Sequence, residues 1–175
     1  MTKKLTVCFI ITLVMLFGAT TCSFGQFIPN APFKAELLKA PDFSLNDLDG
    51  KTFRLRENEG RPVLLFFGAT WCAACRAEMP PIKDFYAAYS PRGLEIAYIN
   101  IGEPARRVKR FVRANKLPCR ALLDENENVA DLYNIIGVPT FILIDKKGII
   151  MNISHRSADI PLAKIFPEKK KGLKK

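Results

Sequence analysis

The 175-residue sequence holds one histidine, and only a short stretch of its start, Leu5 to Phe17, runs apolar without a charge. That stretch falls below the ~17–25 residues of a permanent bilayer-crossing helix. A zinc site built on Cys72 and Cys75 would have to recruit Cys119 and His155, which lack the paired spacing of zinc ribbons. No repeat or low-complexity block is present beyond residue 41, and 49% apolar with 25% charged residues excludes a disordered or collagen-like chain. A chain of about 150–175 residues buries roughly 68–70% of its unfolded surface, so it can build a core without the cysteine staples of a mini-domain. The five cysteines are therefore not a disulfide framework.

Lys3 and Lys4 precede the apolar run and small residues follow it through Gly25, the order of a secretory signal. Ser23 and Gly25 put small side chains at −3 and −1 of a cut before Gln26. Residues 1–25 read as a signal peptide that sends the domain to the periplasm or another extracytoplasmic space. A lipid on Cys22 or an uncleaved anchor are the alternatives. Residues 26–37 read as a leader, 38–167 as one folded domain and 168–175 as a basic tail. Of the net charge of +10, two charges are Lys3 and Lys4 and four belong to the tail, leaving four on residues 26–167. Arg106, Arg107, Lys109, Arg110 and Arg113 crowd one helix-like segment, which reads as a solvated face. No basic motif interleaved with aromatics is present, so nucleic acid is not an expected partner; the tail reads as solvated, with weak contact with an anionic membrane surface or an acidic partner as the alternative.

Phe43-Ser44-Leu45 and Thr52-Phe53-Arg54-Leu55 alternate around Asp49-Gly50, the pattern of a β-hairpin whose turn needs positive φ. Pro62 to Gly68 is a continuous apolar run, predicted as a strand buried on both faces. Helical spacing from Ala73 to Tyr89 is interrupted by Pro80-Pro81, which should kink or restart the helix. Strand-like Leu94 to Ile99, a helix over Ala105 to Asn115, a short strand at Ala121 to Leu123 and a short helix from Val129 to Tyr133 follow. Phe141 to Ile144 and Ile149 to Ser154 form a second hairpin about Lys146-Lys147-Gly148, and a last helix lies around Ile160 to Phe166. The fold class is α/β, a central mixed β-sheet flanked by helices.

Trp71-Cys72-Ala73-Ala74-Cys75 follows the buried strand and opens a helix. Cys72 then lies at the helix N-terminus, where unpaired N–H groups and the dipole favour its thiolate, and Cys75 sits one turn on, more shielded. The spacing permits a disulfide. A thiolate that attacks beside a thiol that resolves is what disulfide exchange requires. An inert disulfide is the structural alternative, but so short a loop gains little closure entropy. Glu78, three residues after Cys75, falls on the face of both cysteines, where a carboxyl could take the proton as Cys75 becomes a thiolate.

These residues resemble a family. Ala40-Pro41-Asp42-Phe43-Ser44-Leu45 with Asp49-Gly50-Lys51, Trp71 to Pro80, Gly137-Val138-Pro139-Thr140 and Ile144 to Gly148 are similar, in order, to extracytoplasmic thioredoxin-like proteins of the TlpA/ResA type. The resemblance implies a thioredoxin-like fold with an N-terminal β-hairpin extension. It implies that Pro139 is a cis-proline facing the cysteines, with Val138, Pro139, Thr140 and Trp71 as the substrate side. It also implies a glutamate role for Glu78; the strand from Val63 to Phe67 has no carboxylate where cytosolic thioredoxins bury an aspartate.

One departure is Ala73-Ala74, where relatives usually carry proline before the second cysteine, and its loss should make the protein less reducing. The expected enzyme is a thiol–disulfide oxidoreductase with Cys72 and Cys75 as its redox-active disulfide, needing no cofactor and no metal. Its expected partners are client protein thiols and disulfides, for example in cytochrome c maturation, and a membrane thiol carrier as electron donor. A peroxiredoxin-like thiol peroxidase is one alternative, with Thr70 one residue too close to Cys72 for that family's pattern. A copper-binding chaperone using Cys72, Cys75 and His155 is another. Cys119 reads as a buried small hydrophobe.

Overall fold

The continuous apolar run becomes the middle of a seven-stranded sheet in the computed structural model, which describes residues 38–167. The signal peptide, leader and basic tail expected from the sequence lie outside the described residues. The strands are β1 (Ser44–Asp47), β2 (Thr52–Arg54), β3 (Val63–Gly68), β4 (Glu95–Ile101), β5 (Arg120–Asp124), β6 (Thr140–Ile144) and β7 (Ile150–Ser154). They are ordered β2-β1-β5-β4-β3-β6-β7. β3 runs parallel to β4, and β4 to β5; the pairings of β3 with β6, β6 with β7, β1 with β5 and β1 with β2 are antiparallel. The sheet is mixed, as expected, because two crossovers through helices join the parallel strands of its centre and hairpins supply its edges.

β3 is buried at every position, so both of its faces need a cover. On one face Leu64, Phe66, Ile96, Tyr98, Phe141 and Leu143 pack beneath helices α1 (Ala73–Ala77), α2 (Met79–Tyr89), α3 (Ala105–Asn115) and α5 (Leu162–Ile165). Phe66 sits at the middle of this layer, with ring centroids 4.6 Å from Phe141 and 5.1 Å from Tyr98. On the other face Val63, Leu65, Phe67, Ile99, Leu122 and Ile142 meet Phe43, Phe53, Leu55 and Val129 of helix α4 (Asn128–Leu132).

Local chemistry explains the breaks. Gly50 takes φ +79 in the first hairpin turn, and the Asp47 carboxylate accepts from the backbone N–H groups of Asp49 and Lys51, tying that turn to its strand. The two prolines restart the helix: α1 ends at Ala77, Glu78 is the joint, and Pro80 and Pro81 sit in the first turn of α2, where a missing N–H costs no hydrogen bond. The buried Asp124 carboxylate accepts from the N–H groups of Val129 and Ala130, so α4 is capped from the end of β5. Since β3 and β4 are parallel, the loops that leave their C-terminal ends lie side by side. One begins Ala69-Thr70-Trp71 and the other holds Gly102 and Glu103.

Candidate active site

Cys72 caps α1 with its sulfur. The backbone N–H of Cys75 donates to Cys72 Sγ at 3.0 Å, an arrangement that favours negative charge on that sulfur. The two cysteines form a disulfide across a Cα–Cα separation of 5.2 Å. Their exposures differ: Cys72 retains 6% and Cys75 none, so an incoming sulfur can reach Cys72 alone.

The Val138–Pro139 peptide is cis, and the Val138 carbonyl oxygen lies 3.7 Å from Cys72 Sγ. Pro139 and Val138 thus stand opposite the reactive sulfur. Thr140 follows them in the chain. It is buried, and its hydroxyl donates to the Gly137 carbonyl at 2.7 Å, which shapes the loop from inside. His155 buttresses the same loop: its Nδ1 is 2.9 Å from the Pro139 carbonyl oxygen and 3.2 Å from Thr140 Oγ1. Trp71, next to Cys72 in the chain, is 68% exposed, and Ile136 on the proline loop is 94% exposed.

Glu78 is half-buried, and its Oε2 accepts from the Ser157 backbone N–H at 3.2 Å. The helix break at Glu78 turns its carboxylate toward the segment after β7, so spacing alone does not set where it points. Cys119 is a buried free thiol just before β5, where burial pushes its pKa up to about 12. Among the described residues no group of three His, Cys, Asp or Glu side chains is gathered as a metal site.

A buried carboxylate that the sequence reading missed stands behind Cys72. Glu103, 3% exposed, accepts from the Thr70 N–H (2.6 Å), the Thr70 hydroxyl (2.6 Å), Asn100 Nδ2 (2.8 Å) and, more weakly, Arg107 (3.4 Å). Burial pushes its pKa up, but these donors outweigh it and hold the carboxyl below the ordinary range. Arg76 donates to the Thr70 carbonyl from the other side, so the residue two before Cys72 is fixed at its N–H, its hydroxyl and its C=O. The available signal was Asn100 and Glu103 at the C-terminal end of a mostly apolar strand.

The model of the AhpC/TSA family matches residues 38–153. The chain belongs to the AhpC/TSA family. Within it the chain is similar to the thiol-disulfide oxidoreductase ResA of Geobacillus thermodenitrificans, 34% identical over 82% of this chain and 83% of that protein. The ResA of Bacillus subtilis is 32% identical over 75% and 76%. Among solved structures, the thioredoxin domain of a thiol-disulfide oxidoreductase from Bacteroides vulgatus superposes with a TM-score of 0.64 at 28% identity, covering 69% of this chain and 88% of that one. This member of the AhpC/TSA family therefore has the thioredoxin-like fold and is a thiol–disulfide oxidoreductase, as the sequence motifs implied.

Proposed function

We propose that the protein reduces disulfides of client proteins outside the cytoplasm, with Cys72 as nucleophile and Cys75 as resolving thiol. The observation that carries this reading is the unequal burial of the two sulfurs, joined to the N–H of Cys75 that caps Cys72 Sγ. In the reduced pair the Cys72 thiolate attacks a client disulfide, forms a Cys72–client bond and releases one client thiolate. Cys75 gives its proton to a base, Glu78 in this reading, and its sulfur attacks Cys72. The internal disulfide forms and the second client sulfur leaves as a thiolate. Two electrons pass to the client, and a membrane thiol carrier returns them in the next cycle.

The client strand would lie along Val138 and Pro139, with Trp71 and Ile136 offering apolar contact. Cytochrome c precursors, which carry paired cysteines, are the proposed clients. Export follows from the signal-like residues 1–25. The peroxidase alternative asks for a threonine hydroxyl beside the attacking sulfur, whereas the Thr70 hydroxyl is held by Glu103.

Trapping tests the proposal. Cys75→Ser removes the resolving thiol, so the variant should accumulate mixed disulfides through Cys72 that mass spectrometry identifies, and Cys72→Ser should accumulate none. Absence of trapped partners in preparations that preserve disulfides would refute it.

A further inference from the structure

Tyr98 and Asn100 lie two residues apart on β4, on the sheet face that α1 covers, and both are fully buried. The exchange steps above use neither. Gly68 explains how the tyrosine fits beneath the cysteines. A Cβ on Gly68 would stand 2.8 Å from Tyr98 Cε2, 3.4 Å from its Oη and 3.5 Å from Cys75 Sγ. The space a side chain would take is therefore shared between the phenol and the resolving sulfur.

The hydrogen bonds fix the direction of donation. Asn100 Nδ2 donates both to Glu103 Oε2 at 2.8 Å and to the Tyr98 oxygen at 3.3 Å, which leaves the phenol proton without an acceptor among the described residues. Asn100 Oδ1 is likewise buried without a partner. A buried hydroxyl with an unspent proton is unfavourable unless a second state uses it. In the disulfide, Cys75 sulfur is a neutral, weak acceptor, and no hydrogen bond joins it to Tyr98. A Cys75 thiolate in the same place would be a strong one.

We propose that Tyr98, oriented by Asn100, steadies the Cys75 thiolate of the reduced enzyme by donating its phenol hydrogen bond to that sulfur. The proposal rests on the reading of Cys75 as the resolving thiol and adds the group that makes its thiolate accessible in a buried layer. Nothing covalent changes at Tyr98. The Cys75 proton passes to Glu78, the sulfur keeps the electron pair and spends it on the Cys72–client bond, and the client sulfur leaves. Burial, with the nearby Glu103 charge, raises the phenol's pKa above the ordinary tyrosine value despite the Asn100 hydrogen bond, so Tyr98 remains a donor throughout.

The titratable and charged groups of the layer around Cys75 include Cys72, Arg76 and Glu78 on its own segment, Tyr98 and Glu103 from β4 and the loop after it, Cys119 before β5, Tyr86 and Tyr89 of α2, and His155 against the proline loop. Arg76 is exposed and donates to Thr70. Glu103 is an anion that disfavours a thiolate, and Glu78 is the proton acceptor. Tyr98 is the donor of the set that shares space with the sulfur.

The test follows the Cβ carbon of Cys75 by NMR through a pH titration of the reduced full chain carrying Cys72→Ser, which removes coupling between the two thiols. Tyr98→Phe should raise the Cys75 midpoint by about one pH unit, the size expected for loss of one hydrogen bond to a charged group. An unchanged or lowered midpoint overturns the proposal. Phe111→Leu is the packing control, since Phe111 lies against the Tyr98 ring at 6.1 Å and leaves its hydroxyl alone. This variant should keep the midpoint, and a rise equal to that of Tyr98→Phe would overturn the proposal too. The titration needs no client, so its failure is distinct from a failure to trap one.

Discussion

Replacing Glu103 with alanine takes the acceptor from Thr70 N–H, the Thr70 hydroxyl and Asn100 Nδ2 in one step. The hydroxyl can turn elsewhere, so two donors are stranded in a site that is 3% exposed at the carboxylate. Each stranded donor costs about 1–3 kcal/mol, and water entering the gap recovers part of it, so the loss should be about 3–4 kcal/mol at pH 7. Arg107 adds little, because its side chain is 56% exposed and its charge screened. Glu103→Gln keeps an oxygen for Thr70 N–H and Asn100 but loses the charge, so it should cost about 2 kcal/mol, the difference between charged and neutral hydrogen bonds summed over two.

The pH dependence has a definite sign. A carboxyl held below its ordinary value in the folded state contributes stability above the unfolded pKa, about 4.3, and loses it as pH falls through the folded value. The advantage of the natural protein over Glu103→Gln should therefore be full at pH 6–7 and shrink below about pH 4.5. Urea unfolding followed by circular dichroism at neutral and acid pH measures both numbers. An alanine variant that loses under about 1 kcal/mol, or a glutamine gap that is constant into acid, would refute the reasoning.

Three other outcomes are expected. Glu78→Gln should alter the pH profile of client-disulfide reduction, and an unchanged profile would remove Glu78 as the proton acceptor. Cys119 should resist iodoacetamide at pH 8 while reduced Cys72 reacts, because burial lifts the Cys119 thiol to about 12; rapid labelling of Cys119 in peptide maps would contradict this. With Ala73-Ala74 between the cysteines, the reduction potential measured against glutathione should lie above the roughly −270 mV of thioredoxin, and a value at or below that would sink the expectation.

Much of the molecule was legible in its residues, for identifiable reasons. The unbroken apolar run at β3 announced a strand buried on both faces, Asp49-Gly50 marked a hairpin turn, and Pro80-Pro81 marked a helix restart, since each depends on local sterics or on a two-residue period. Cys72 and Cys75 were legible because their spacing and their place after a strand encode both helix and chemistry. For Glu78 spacing placed the residue but not its carboxylate: the helix restarts there, and Oε2 accepts from the Ser157 N–H, a contact no local pattern carries.

The sequence by itself determined the mixed sheet, the place of the cysteine pair and the chemistry that pair can perform, because hydrophobic period, turn residues and cysteine spacing are local properties. Only the tertiary structure decided what surrounds the pair. Glu103 reaches Thr70 across 33 residues, Tyr98 fills the room that Gly68 leaves beneath Cys75, and His155 props the proline loop from just beyond β7. These contacts exist because β3, β4 and β6 are neighbours in the sheet. Which polar groups then meet beside a buried sulfur is a property of strand order and register, and no local pattern carries it.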